Sequence, residues 1–303
     1  MDYIKCIACL LILNSHLAPL YPGAFKRLAF GGFFGNCLFF FCTGFLLMKA
    51  RDTFPKWYGK KIVRVILPYF LLLPLLFFDG RLKELDVLNI FIPFKLYHFI
   101  PTILILYITY YIALFLSDKA KIRFLYMILA LTIVCFLYFY LAYDYENSNI
   151  YDHFTFLEMC TYFIMMLLGG YMKSKEHPFK KCGIYLAAAV ICFGIYLYQS
   201  VFGFPKFLSI FQLVAAVGFS YSISGFFLCC EEKLKQNKLV DFISKVTLEA
   251  YLAHWFCIDA YEALGFPTNI VLFFLSVFGI AYCLHIVSDK LSGKILSLPV
   301  FSK

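Results

Sequence analysis

The chain has 303 residues, 63% of them hydrophobic and 21% aromatic, and only 15% are charged. A soluble domain carries about 25% charged residues and no series of long apolar runs, so a soluble globular fold is excluded. The net charge of +9 therefore has to be explained by membrane topology and not by a nucleic-acid-binding face.

Taken in order, the apolar runs predict helices at 3–20, 31–48, 61–78, 98–117, 121–143, 155–171, 181–202, 207–230, 246–264 and 269–289. Each is close to the ~20 residues that cross ~30 Å of hydrocarbon. The expected fold is all-α: a polytopic membrane protein with about ten transmembrane helices in one bundle, a single integral-membrane domain over 1–303. The first run has a signal peptide's length, but its flank begins with Asp2 and it lacks a small-residue cleavage site, so it reads as a mature helix. Gly44, Gly169 and Gly170 are expected to let helices approach closely. Of the twelve cysteines, all but Cys182 lie well within predicted helices and are expected to pack as small hydrophobes. Cys6 and Cys9 have redox-motif spacing, but a lipid-embedded helix makes packing the better reading.

Orientation follows from the basic residues, which favour the cytoplasmic side. With the N-terminus inside, 21 of the 27 Lys and Arg residues fall on inner segments, and only Lys26, Arg27, Arg81, Lys83, Lys95 and Lys206 fall outside. The acidic stretch 144–153 also falls outside. Both termini are expected in the cytoplasm, the bilayer being that of a bacterial cytoplasmic membrane.

Ionisable groups inside a span are costly, so they are functional candidates and usually face the bundle interior. At 100° per residue, Lys5 and His16 share a helix face. Cys9 lies on that face and Asp2 is within about 40° of it. Asn14 points elsewhere, toward a neighbouring helix. His16 would stand ~20 Å above the inner helix end. A buried, hydrogen-bonded histidine is the plainer alternative, and the company of Lys5 and Asp2 favours function. Lys61 and Arg64 are i,i+3, with Lys60 four before Arg64, a cluster that by itself reads first as positive-inside anchoring and second as an anion site. His98 opens the fourth helix beside Lys95, either as an interface residue or as a substrate contact. Tyr251 and His254 are i,i+3 at mid-depth of the ninth helix and can line one cavity; Glu249 is expected to pair with Lys245. Asp259 lies five residues after His254, about 140° away on a continuous helix, so it cannot orient the imidazole.

Asp2-x-x-Lys5-x10-His16 resembles the opening signature of the membrane-bound acyltransferase family 3. Further blocks follow in the family's order: "LFFFCTGFLL" (38–47), "KKIVRVILPYF" (60–70) with Lys61, Arg64 and Pro68, "YHFIPTILILYITYY" (97–111), and "LEAYLAHWF" (248–256) with Tyr251 and His254. Together they cover nearly the whole chain. Lys5 stands where Arg is commoner, which keeps the charge but loses the guanidinium fork. The usual Trp after His98 is missing, Phe99-Ile100-Pro101 standing there instead, which bears on the acceptor. The variant is most similar to the branch that modifies exopolysaccharides, including intercellular adhesin succinyltransferases.

The resemblance implies acyl-CoA as donor, acetyl or succinyl, and a hydroxyl of a surface glycan or lipid-linked sugar as acceptor, with polysaccharide-synthase components as partners and no metal or nucleic acid. His16 is then the catalytic residue, assisted by Lys5 and Asp2. Lys60, Lys61 and Arg64 would hold the CoA phosphates, and His98, Tyr251 and His254 the acceptor. The alternative is a transporter or flippase of a glycan precursor, which repeated half-sequences with matching broken helices would favour; no such repeat is visible.

Overall fold

Segments out of reach of water must satisfy every backbone N–H and C=O internally, and a helix does this within one stretch of chain. The computed structural model describes residues 1–48, 52–78, 97–144, 155–174, 181–202 and 205–302, and every regular element among them is helical. The helices are α1 (Asp2–Ser15), α2 (Gly32–Leu47), α3 (Phe54–Phe78), α4 (Phe99–Lys119), α5 (Phe124–Leu141), α6 (Phe156–Ser174), α7 (Cys182–Phe202), α8 (Ile210–Cys229), α9 (Lys238–Lys245), α10 (Thr247–Tyr261), α11 (Thr268–Leu296) and α12 (Pro299–Ser302). The predicted outer segments bearing Arg81, Lys83, Lys95 and most of 144–153 lie outside the described residues.

Among the described residues, six helical segments are long and apolar enough to span a membrane: Gly23–Leu47, Phe99–Lys119, Phe124–Leu141, Cys182–Ser200, Lys206–Cys229 and Thr268–Leu296. Each of the ten predicted runs does contain a helix, yet not all of them qualify. α1 has 14 residues and α10 has 15, short of the ~20 a span needs. α3, with 25 residues, carries its basic cluster in its first half.

The chain forms two compact units interleaved in sequence. One comprises Met1–Ala8, Phe33–Ala50 and Thr109–Lys238; the other comprises Cys9–Gly32, Arg51–Ile108 and Leu239–Lys303. In the first unit, α2 and α6 approach backbone to backbone. A Cβ added at Gly44 would run into the Met166 carbonyl, and one at Gly169 into the Phe41 carbonyl. Glycine is therefore required at both positions, as the sequence suggested. The close approach also lets the Tyr110 hydroxyl donate to the Gly44 carbonyl at 2.7 Å. Asn36 donates to the Tyr162 hydroxyl (3.0 Å), which donates to the buried Glu158 carboxylate (2.9 Å). Phe139, Leu157, Ile164 and Leu213 form an apolar cluster nearby.

One cysteine expectation needs correcting here. Cys182 and Cys229 are disulfide-bonded, with Cα atoms 5.6 Å apart. α7 and α8 pack side by side, and the first residue of one lies next to the last residue of the other, a juxtaposition that sequence spacing does not reveal. Cys6 and Cys9 are both buried and unbridged.

In the second unit α11 packs against α3 and α10. Here Asn14 organises the turn after α1, and not a neighbouring helix as expected: its side-chain amide donates to the carbonyls of Leu28 (2.6 Å) and Phe30 (3.0 Å), while its oxygen accepts from the Tyr21 hydroxyl (2.9 Å). The Asn269 amide donates to the Leu20 carbonyl at 2.7 Å, tying the start of α11 to the same turn. Gly31, at φ +105°, supplies the left-handed residue before α2.

The α2–α6 contact yields a direct test. Gly169→Ala should destabilise the protein by about 1–3 kcal/mol through forced backbone separation, read as a lower unfolding temperature in detergent. Gly183→Ala, whose added Cβ meets nothing within 4 Å, should leave that temperature unchanged or slightly higher.

Candidate active site

α1 stops at Ser15, and His16 continues it as a tighter turn whose N–H donates to the Leu13 carbonyl at 3.1 Å. The regular helical face that relates Lys5 to His16 in the sequence thus ends one residue early. Asp2 and Lys5 pair loosely at 4.0 Å, and the Asp2 side chain is 56% exposed rather than turned inward.

The second unit brings His16 to α10. Its ring lies 4.5 Å from that of His254 and 5.1 Å from that of Trp255, centroid to centroid. His254 is fully buried, and its Nδ1 lies against the Tyr251 carbonyl. A carbonyl only accepts, so Nδ1 carries the proton, and in the neutral ring the lone pair sits on Nε2. The i,i+3 spacing of Tyr251 and His254 thus sets a tautomer. The Tyr251 ring packs 5.0 Å from Phe99 and 6.0 Å from Tyr97, and the Tyr97 hydroxyl donates to the Leu252 carbonyl at 2.8 Å. α10 is thereby clamped by both α1 and the start of α4. Sequence reasoning passed over Trp255, although the "LAHWF" block contains it. His98 is exposed on the turn before α4, its carbonyl accepting from Thr102 at 2.8 Å.

The basic cluster on α3 is divided among three tasks. Lys60 donates to Asp52 at 2.7 Å, with Lys56 3.9 Å from the same carboxylate. Lys61 lies 5.9 Å from the centre of the Trp57 ring, within cation–π range. Arg64 lines a cavity of about 290 Å³ together with Pro68, Glu249, His285, Ser288 and Asp289. Pro68 has no N–H to offer the carbonyl four residues earlier, so the Arg64 carbonyl loses its usual helical donor at the cavity wall.

Glu249 does not pair with Lys245, which is bound to Asp241 at 2.8 Å. Instead the buried carboxylate takes His285 Nδ1 at 2.9 Å and the Ser288 hydroxyl at 3.4 Å. His285 and Ser288 come from α11, so only the packing of α10 on α11 reveals this network. α10 runs unbroken through His254 and Asp259, and Asp259 is exposed, as the angular argument requires. His16 and His254 are not among the residues lining the cavity. Glu249 and His254 are separated by five residues, ~7.5 Å along α10.

The described residues are thus all-helical in their regular elements, with a histidine pair in one place and an arginine-bearing cavity in the same unit. A sequence profile described as an acyltransferase domain, that of acyltransferase family 3, matches residues 1–287, and the protein belongs to this family of membrane acyltransferases. No curated protein and no solved structure gives a match.

Two outcomes follow. Glu249→Ala should cost about 1–3 kcal/mol by stripping His285 and Ser288 of their buried acceptor, whereas Lys245→Ala should be nearly neutral in the same thermal assay. The Asp52 carboxyl is held below the usual carboxylate range, first by the hydrogen bond from Lys60 and then by the charges of Lys60 and Lys56, with desolvation opposing. A group so depressed keeps its contribution above its unfolded value and loses it as pH falls through the folded one. A carbon-13 titration of Asp52 should therefore have a midpoint below about 3.9, rising toward that value in Lys60→Ala.

Proposed function

We propose that the protein transfers an acyl group, acetyl or succinyl, from cytosolic acyl-CoA to a hydroxyl of a surface glycan or lipid-linked sugar. The observation that carries this reading is the His16 ring packed against both His254 and Trp255 in a chain of the acyltransferase family. Thioester acyl transfer needs a base that removes the hydroxyl proton during attack, and imidazole has the right basicity near neutral pH. The His16 imidazole takes the proton as the sugar oxygen bonds to the acyl carbon. The carbon–sulfur bond breaks, and the proton returns to the departing thiolate, so CoA leaves as its free thiol. His254 and Trp255 hold the His16 ring in place. Tyr251, His254 and the exposed His98 contact the acceptor.

Arg64, supported by Lys60 and Lys61, receives the CoA phosphates, for which a guanidinium fork is well suited. Lys5 and Asp2 assist at the base of α1. The cytoplasmic membrane with both termini inside remains the orientation that the basic segments favour, and polysaccharide-synthase components are the expected partners. Family membership supports this enzyme over a transporter or flippase.

The test is acyl-CoA binding and acyl transfer by the detergent-purified protein with radiolabelled donor. His16→Ala should retain donor binding and lose transfer by about 10²-fold or more, and full transfer would refute the assignment. Arg64→Ala should weaken donor binding by about tenfold, the loss of one charge-assisted contact.

A further inference from the structure

The α3–α11 seam carries a second cavity. Leu71, Leu72 and Leu75 on α3 face Gly279, Cys283 and Val287 on α11 around an apolar groove of about 430 Å³. The groove shares α3 and α11 with the Arg64 cavity, and its residues follow those of the cavity along both helices. Arg64, Pro68 and Leu72 are spaced by four, as are Leu67, Leu71 and Leu75; on α11 the row Leu284, Ser288, Ser292 crosses from groove to cavity. Residues four apart lie one above the other on a helix. The seam therefore runs from a charged pocket to a hydrocarbon-lined slot over eleven residues of α3, about 16 Å.

Its charged end also lies at the level of the membrane surface. α3 and α11 are antiparallel across the seam, because low numbers on α3 meet high numbers on α11 in both cavities. The basic start of α3 (Lys56, Lys60, Lys61) and the basic end of α11 (Lys290, Lys294) thus flank the same end. Lys and Arg gather at the headgroup layer, and the leucines of the groove lie deeper.

A polar pocket at headgroup depth opening into an apolar slot matches an amphiphile. The pocket has opposite charges, Arg64 against the carboxylates of Asp289 and Glu249, the latter already engaged by His285 and Ser288, together with the hydroxyls of Ser288 and Ser292. We infer that the α3–α11 seam binds one zwitterionic membrane phospholipid, its phosphate on Arg64, its ammonium on Asp289 and an acyl chain in the groove. A purely anionic headgroup would meet the Asp289 carboxylate unfavourably. A lipid seated here shares Arg64 with the donor of the proposed function, so lipid and acyl-CoA compete at that residue.

The test is native mass spectrometry of the delipidated full chain with phosphatidylethanolamine or phosphatidylglycerol of matched chains, without donor. Phosphatidylethanolamine should bind about tenfold more tightly, the value of one charge-assisted contact. Asp289→Ala, at an exposed position, should erase that preference. Gly279→Leu, whose Cβ meets nothing within 4 Å, should fill the groove and weaken both lipids while donor binding persists. If this variant does not fold, Asp289→Ala alone decides. Equal binding of the two lipids by the unaltered protein, or undiminished lipid binding by folded Gly279→Leu, would overturn the inference. Lipid binding is measured apart from acyl-CoA binding, so failure of the donor reading leaves this result intact and the reverse also holds.

Discussion

In hydrocarbon a polar group without a partner costs several kcal/mol, and this penalty governs the interior of α10. Several polar groups along that helix find partners within the protein. Glu249 takes its hydrogen bonds from α11, His254 turns Nδ1 to a carbonyl on its own helix, and the Leu252 carbonyl is met by Tyr97. Meeting these needs fixes how α10 is rotated against α11 and the start of α4. That rotation in turn presents His254 and Trp255 to His16.

The same requirement shapes the end of α1. Asn14 would be expensive inside a continuing helix facing lipid; instead its amide gathers the turn through Leu28, Phe30 and Tyr21. The helix ends there, and His16 sits on a tightened turn, a position set by hydrogen bonds on either side of it. An imidazole held in that way suits proton transfer better than one at the middle of a uniform apolar stripe, since orientation relative to the reacting atoms governs the step.

α3 shows how one basic cluster serves several ends. Lys60 is committed to Asp52, Lys61 lies by Trp57, and Arg64 alone reaches the cavity. In the proposed function the arginine, supported by Lys60 and Lys61, receives the donor's phosphates. In the inferred lipid site the same guanidinium meets a phosphate from the bilayer, which would link donor access to the lipid around α3.

The sequence by itself determined the class of molecule and the helical runs, because apolar runs of about 20 residues in a chain so poor in charge satisfy their backbone in hydrocarbon as helices. It also pointed to His16, Arg64, Tyr251 and His254, since ionisable or hydroxyl groups inside apolar runs stand out against their surroundings, and to Gly44 and Gly169, since a missing side chain permits close backbone approach. Only the tertiary structure decided partnerships: Glu249 with His285 rather than Lys245, Cys182 with Cys229, Trp255 against His16, and Asn14 with a turn rather than a helix. Helical periodicity tells which residues of one helix share a face. It carries no information on which residue of another helix, tens or hundreds of positions away, that face will meet.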